Sequence, residues 1–261
     1  MSYYSGSFGS VAAGTLISIL DVDLILNSCW SIYDSAAGTN CKVYKCQDTP
    51  NNCLFYLKVD DNYSGYSIIE LWEGWDATGH VGTGASLTLY GTATAMRLTK
   101  TVGGWGLCVR DHNMIWCDYA GNKGNYIGQP KRKDTSKNIV LYWGGGNSPA
   151  SNPLGTQQTS GGTAAVVCAF LFDESGSKNP AVPCGAVGAN IGFCKTSLGE
   201  IELSETRVVN YTTFLIIGDL DGVCVMGAAT YSGVSNGDTC TIAGVVWQLI
   251  VATNYCWVQQ A

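Results

Sequence analysis

The chain has 261 residues, of which 46% are hydrophobic and 13% are charged, and its formal net charge at pH 7 is −6. This length and hydrophobicity predict a globular protein with one large or two ordinary domains. The acidic balance argues against nucleic acid as a partner, and no apolar run reaches the ~18 residues of a membrane span.

The first twenty residues are not typical of a secretory signal. They contain no basic residue before their apolar stretch, which ends at Asp21. An export signal normally begins with a positively charged region. We therefore expect a chain without a secretory signal of its own.

Two β-rich runs in the first third of the chain predict a hairpin. Residues 54–59 and 66–72 are rich in aromatic and branched side chains, and residues 60–65 between them are typical turn residues. Residues 86–90 then alternate polar and apolar side chains, which indicates a half-buried strand.

Residues 106–110 and 114–118 predict a second hairpin, whose turn determines a cysteine pair. If His112 and Asn113 form a two-residue turn, where Asn tolerates a positive φ, Cys108 lies directly opposite Cys117. Such a non-hydrogen-bonded pair has Cα atoms roughly 4.5 Å apart, at the short end of the disulfide range. The spacing therefore predicts Cys108 and Cys117 as a candidate disulfide.

The rest of the chain continues the same pattern. Further β-rich runs occupy residues 164–172, 208–217, 222–226 and 245–251. No stretch of 12 residues has clean helical periodicity, and the 33 glycines suit many turns. These observations predict an all-β fold built as sandwiches or barrels.

A long uncharged segment predicts the domain organisation. Residues 144–162 are rich in Gly, Ser, Asn and Pro, and loops of this length inside one compact domain are uncommon. We expect either a linker between β domains at residues 1–148 and 149–261, or an extended arm that lies on a neighbouring subunit.

Twelve cysteines are the most distinctive feature of the composition. An even number along the whole chain favours disulfides and an oxidising compartment. No Cys-x-x-Cys pair occurs, only two histidines are present, and the spacing of Cys41, Cys46 and Cys53 matches no common zinc site. We therefore predict no metal and no single catalytic thiol. The cysteines are residues 29, 41, 46, 53, 108, 117, 168, 184, 194, 224, 240 and 256.

The remaining motifs do not predict an enzyme. The chain has no Gly-x-Ser-x-Gly, phosphate-loop or His-Glu-x-x-His motif. Glu70, Glu73 and Asp76 surround Trp72 and Trp75, as the paired carboxylates of a glycosidase would. However, Glu70 and Trp72 share one face of a single strand, and carboxylates at strand ends are usually solvated. We therefore predict neither catalysis nor a cofactor.

Short patterns in a fixed order carry a family resemblance over roughly half of the chain. They occupy residues 29–34, 56–59, 69–84, 119–128, 222–227 and 235–247. An aromatic start, a short strand and a Trp-Asp-Ala-Thr turn are followed by glycine turns and a final strand with an aromatic residue. In this order they resemble virion structural proteins of tailed bacteriophages.

The resemblance implies a non-enzymatic subunit of the phage neck, collar, tail or tail tip, or a head decoration. Its partners would be copies of itself in a symmetric ring and other virion proteins. Segments 1–9 and 144–162 would order on neighbouring subunits. The chain would be made in the host cytoplasm and released by lysis, so disulfides would form late.

The sequence is also compatible with two other functions. The eight Trp and fourteen Tyr residues suit a secreted or surface adhesin that binds glycans through an aromatic platform beside Trp72 or Trp75. A secreted hydrolase is the third alternative, and it requires polar side chains that converge in a cleft.

Overall fold

The structure is a computed structural model that describes residues 2–90, 94–121, 123–144, 168–172, 183–188, 204–210, 216–225, 238–251 and 256–259. Most of these residues lie in β-strands, so the predicted all-β class is confirmed. A short helix, α1 (Thr15–Ile19), continues into a π-helical turn over Leu20–Leu24.

The described residues form twenty strands. In chain order they are β1 (Ser2–Phe8), β2 (Trp30–Gly38), β3 (Cys41–Asp48), β4 (Cys53–Asp60), β5 (Tyr66–Asp76), β6 (Val81–Leu87), β7 (Leu89–Tyr90), β8 (Thr94–Thr99), β9 (Gly103–Val109), β10 (Asn113–Asp118), β11 (Lys123–Gly128), β12 (Lys131–Arg132), β13 (Val140–Gly144), β14 (Cys168–Phe172), β15 (Pro183–Gly188), β16 (Ser204–Asn210), β17 (Ile216–Val225), β18 (Thr239–Ile242), β19 (Val245–Val251) and β20 (Cys256–Gln259).

The strands make two antiparallel sheets. Sheet 1 has the order β1-β9-β10-β11-β13-β14-β15-β16-β17-β20-β19-β18, and β12 also pairs with β17. Sheet 2 has the order β2-β3-β4-β5-β8-β7, and β6 pairs with β5. Because β12 follows β11 closely in the chain, its pairing with β17 brings the far part of sheet 1 back towards β11.

The main core lies between sheet 2 and the first strands of sheet 1. Alternate residues of sheet 2, such as Phe55 and Leu57, point inward, and they pack in one cluster with Leu107, Trp116 and others from sheet 1. The helical segment closes this core, because Leu16, Leu20 and Leu24 are fully buried. The result is a β-sandwich with a short helical plug.

Strands β9 and β10 are buried on both faces. Every residue of β10 is buried, including Ile115 and Cys117, which point away from sheet 2. That outer face is covered by the later strands, since Arg110 and Tyr119 bond to Gln259 and Gln248. The molecule therefore has a second core on the far side of the same strands.

Several predicted strands are confirmed. Residues 54–59 and 66–72 form the β4–β5 hairpin, residues 106–110 and 114–118 fall in the β9–β10 hairpin, and residues 245–251 are β19. Residues 168–172 of the run at 164–172 form β14, and residues 222–225 lie in β17.

Other expectations are corrected. Residues 86–90 are divided between β6 and β7, because the chain leaves β5 after Leu87 and pairs with β8 instead. The described ends of the run at 208–217 belong to two strands, because residues 208–210 end β16 and residues 216–217 begin β17, and the two strands pair antiparallel. Residues 2–8 are not a free arm, since they form β1 along β9 within the same chain.

The predicted linker lies largely outside the described residues, which stop at Gly144 and resume at Cys168. The boundary near residue 148 therefore stays a prediction. The strands on either side of it, β13 and β14, pair directly in sheet 1.

Candidate functional site

The β9–β10 hairpin places Cys108 and Cys117 on one face, but not opposite each other. Cys108 faces Ile115, and Cys117 faces Gly106, so the predicted register is wrong. The two cysteines are diagonal neighbours, and neither is in a disulfide in this structure. A disulfide between Cys108 and Cys117 stays a prediction, but the strand register no longer supports it.

The register differs because the turn is not at His112 and Asn113. The turn residues are Asp111 and His112, and Arg110 N donates to Asn113 O at 2.9 Å. Asn113 is fully buried at the start of β10, where its side-chain amide donates to Gln129 O at 3.3 Å. The side-chain amide of Asn113 therefore forms its hydrogen bond inside the protein and takes no part in the turn.

Cys108 is an inert thiol in the second core. Its Sγ donates to Gln259 O at 2.7 Å. Burial raises the pKa of Cys108 to about 12, although the positive charge of Arg110 opposes this shift. Because the thiolate is the nucleophile, this side chain is unsuited to catalysis.

The aromatic residues around Trp72 form an outer aromatic cluster on the face of sheet 2 that points away from the main core. It consists of Tyr33, Tyr56, Trp72 and Trp75. A register shift between Trp72 and Gly74 in β5 turns Trp75 to the same face as Trp72. The two indole rings meet edge to face, with centroids 6.3 Å apart.

Asp34 anchors this cluster from β2. Its carboxylate is 4% exposed and accepts hydrogen bonds from Trp75 Nε1 and Ala36 N at 2.8 and 2.9 Å. His80 Nδ1 lies 2.8 Å from the same carboxylate. Burial favours the neutral acid, but the bonds from His80, Trp75 and Ala36 outweigh it and lower the pKa of Asp34.

The three carboxylates considered for catalysis are each bound locally. Glu70 pairs with Lys58 at 3.2 Å and accepts from Trp72 Nε1 at 2.8 Å. Glu73 accepts from Ala85 N, and Asp76 accepts from Thr78 N. All three carboxylates therefore have partners within the sheet or its turns, and these bonds hold the local strand and turn conformation.

Three cysteines that the sequence did not single out as a group lie together at one end of sheet 2. This thiol cluster consists of Cys29, Cys46 and Cys53, all free in this structure. Cys46 and Cys53 both belong to the main core, and Cys29 packs against it. The Cys46 thiol donates to Asp111 O at 3.8 Å, and the neighbouring Cys53 and Cys29 both raise the pKa of Cys46. A usable signal was present, because turn residues 49–52 separate two β-rich runs and would bring Cys46 near Cys53.

A groove of about 440 Å³ opens at the thiol cluster. Cys29 lines it with polar and charged side chains from β3 and the following turn, including Lys45, Gln47 and Asp48. Asp48 also lies 3.3 Å from His112 Nδ1. The groove therefore gives solvent molecules a polar approach to one of the three thiols.

A buried ion pair fixes the start of α1. Asp61 and Lys100 are in contact, and both side chains have no exposed surface. Asp61 also accepts from Leu16 N at 2.8 Å and from Ser67 Oγ at 2.6 Å. The Lys100 ammonium donates to two main-chain carbonyls as well, those of Ala12 and Tyr63. Every donor of that ammonium is satisfied, which indicates a structural role.

The apolar stripe consists of three exposed apolar side chains at the end of the helical segment: Val22 in the π-helical turn, and Ile25 and Leu26 directly after it. Their exposed fractions are 60%, 37% and 67%. The helical segment buries Leu16, Leu20 and Leu24 in the main core, and it also carries Asp21 and Asp23.

Within the described ranges, no group of three or more His, Cys, Asp or Glu side chains is arranged to hold a metal ion. The same part of the chain has no helix long and apolar enough to cross a membrane. Comparison with known proteins finds no matching protein family and no similar curated protein.

Proposed function

We propose that the chain is a non-enzymatic structural subunit of a tailed-bacteriophage particle, located in the neck, collar, tail or tail tip. Its partners are further copies of the chain in a symmetric ring and other virion proteins. It is made in the host cytoplasm and leaves the cell by lysis. The observation that carries the assembly role is the apolar stripe of Val22, Ile25 and Leu26.

The stripe supports assembly because an exposed group of large apolar side chains is typical of a surface that contacts another protein. One side of this segment is covered by the main core, and the other side faces solvent. A low share of charged residues, 13% of the chain, also suits permanent contacts. A second copy of the chain is the proposed occupant, since rings of identical subunits are a common form of assembly.

The phage assignment is supported by the ordered patterns at residues 29–34, 69–84 and 235–247. The division into domains at residues 1–148 and 149–261 belongs to the same proposal.

The glycan-binding alternative has weaker support from the geometry. Trp75 is 7% exposed, and its indole N–H is bonded to Asp34. The indole N–H of Trp72 is bonded to Glu70, and its ring covers Gly82. A stacking platform for sugars needs exposed ring faces, and the rings of Trp72 and Trp75 have little exposed face.

Light scattering after size-exclusion chromatography tests the assembly role. We expect the purified chain to form a discrete oligomer, and a variant with Val22→Ser, Ile25→Ser and Leu26→Ser to be monomeric. The matched control is Val81→Ser with Val102→Ser, because these valines are 52% and 58% exposed at other sites. A stripe variant with the same mass as the wild type would contradict the proposed contact.

Mass spectrometry of purified phage particles tests the location. We expect peptides of the chain in particles from a lysate, and gold-labelled antibodies against the chain at the neck or tail. Particles that infect normally and lack the chain would contradict the virion assignment.

A further inference from the structure

The β3–β4 hairpin brings two buried thiols together. Cys46 faces Phe55, and Cys53 faces Asp48, so both cysteines lie on the inner face of sheet 2 as diagonal neighbours. Their side chains are 0% and 2% exposed. Both side chains pack in the same buried cluster between the sheets, so the two thiols are neighbours on one face without a disulfide.

The third thiol connects this pair to the surface. Cys29 precedes β2, and its carbonyl accepts from Gln47 N at 2.9 Å. Its side chain is half-buried against the main core, which includes Cys46 and Cys53. It also lines the polar groove of about 440 Å³. Cys29 is therefore positioned between solvent and the buried pair.

We propose that the thiol cluster is a thiol–disulfide exchange site, which takes a small disulfide such as oxidised glutathione and ends with a Cys46–Cys53 disulfide. This goes beyond the proposed function, because it holds for the isolated chain whether or not the chain assembles. The groove admits the small disulfide, and Cys29 is the thiol that it meets first.

Exchange proceeds in three balanced steps. The Cys29 thiolate attacks one sulfur of the small disulfide, whose S–S bond breaks and releases one thiol. The Cys46 thiolate then attacks the Cys29 sulfur and releases the second small thiol. Finally the Cys53 thiolate attacks the Cys46 sulfur and restores Cys29. Overall the protein loses two hydrogens, and the small disulfide gains them as two thiols.

The surroundings make this exchange slow at neutral pH. Burial raises the pKa of Cys29, and the negative charges of Asp48 and Asp111 raise it further, as does the neighbouring Cys53, while a hydrogen bond from Ser28 opposes them. Burial raises the pKa of Cys46, and the neighbouring Cys53 thiol raises it further. Exchange depends on thiolate, so the reduced chain persists in a reducing cytoplasm and oxidises later.

Peptide mapping of the full chain tests the proposal directly. Trypsin cleaves after Lys45 and Lys58, so Cys46 and Cys53 share one peptide, residues 46–58. After reduction and then oxidised glutathione at pH 8, we expect this peptide to be lighter by two hydrogens and resistant to alkylation. In Cys46→Ser the remaining Cys53 should be alkylated in full.

The role of Cys29 is tested by the rate. We expect Cys29→Ser to slow formation of the 46–58 disulfide by about tenfold or more, since access to the buried pair limits exchange. The matched control is Cys240→Ser, which removes a half-buried thiol from β18 and should leave the rate unchanged. Equal rates for Cys29→Ser and wild type would overturn the entry role.

The measurement on the wild-type chain tests the proposal even if a cysteine variant misfolds. Folding of each protein is checked by circular dichroism before oxidation. Recovery of peptide 46–58 with both cysteines alkylated, from folded wild type at equilibrium with oxidised glutathione, would overturn the proposal. So would a stable bond from Cys46 to any cysteine other than Cys53. Neither result depends on oligomer size, so a failure here is distinguishable from failure of the assembly role.

Discussion

At the scale of single residues, buried charge sets the strongest constraints. Asp61 and Lys100 are fully buried and in contact, and their other polar bonds are all within the protein. A buried pair of this kind contributes little net stability, but removal of one partner leaves the other charge without compensation. The cost of breaking the pair is therefore larger than the net stability that the intact pair adds.

Loss of the Lys100 charge should be severe. We expect Lys100→Met to lower the free energy of unfolding by about 3–5 kcal/mol, because Asp61 keeps a buried charge without its cation. The matched control is Lys58→Met, which breaks the partly exposed Lys58–Glu70 pair and should cost about 0–1 kcal/mol. Urea denaturation measures both, and similar losses for the two variants would argue against the buried pair.

A second residue-scale prediction concerns acid. The folded pKa of Asp34 is lowered, so its contribution to stability is present above the unfolded value of about 3.9 and is lost as pH falls through the folded value. We expect the wild type to lose more stability between pH 5 and pH 3 than Asp34→Asn. Urea midpoints at both pH values measure the difference, and parallel losses would contradict it. Asp48, whose pKa is also lowered, is unchanged in both proteins.

At the scale of elements, close packing of side chains on backbone explains why a glycine-rich segment is a strand. β6 has the sequence Val-Gly-Thr-Gly-Ala-Ser-Leu, which has low β propensity. Gly82 faces Trp75 across the ladder, and the ring of Trp72 lies on its backbone, where a Cβ would overlap it. The absence of a side chain at this position is what admits the indole.

Gly82→Ala should therefore displace the Trp72 ring. We expect a loss of about 1–3 kcal/mol, the usual cost of overpacking, and a change in tryptophan fluorescence. Gly9→Ala is the matched control, because a Cβ there meets nothing within 4 Å, and its effect should stay within about 0.5 kcal/mol. Equal stability of the two variants would show that Trp72 has room to move.

The elements also show what the sequence could and could not predict. The β4–β5 hairpin was predictable because its strands hold β-favouring residues and its turn holds polar ones. The register shift in β5 was not, since simple alternation puts Trp72 and Trp75 on opposite faces. The β9–β10 register failed because Asn113 fills a buried position that its turn propensity does not reveal. The proximity of Cys46 and Cys53 was predictable from the turn at residues 49–52 but was not predicted.

At the scale of the whole molecule, sheet 1 joins the two halves of the chain. β12 and β13 from the first half pair with β17 and β14 from the second half. Cys108 and Arg110 bond to Gln259 at 2.7 Å. Composition alone suggested two units at residues 1–148 and 149–261, but composition carries no information on pairing between distant strands.

The two halves should remain together when the chain is cut. We expect a chain with a site-specific protease sequence inserted after Gly155 to be cleaved into two fragments that co-elute under native conditions. The strand pairs and the Gln259 bonds hold them, and denaturant should separate them. Fragments that elute apart without denaturant would contradict the continuity of sheet 1.

The two-sided burial of β9 and β10 has a consequence for synthesis. The partner of Cys108, Gln259, is 151 residues further along the chain. At ~5–20 residues per second, a ribosome needs roughly 8–30 s to make the strands that cover that face. During this interval a nascent chain exposes Ile115 and Cys117 to solvent, so chaperone binding and mispairing compete with folding until the last strands emerge.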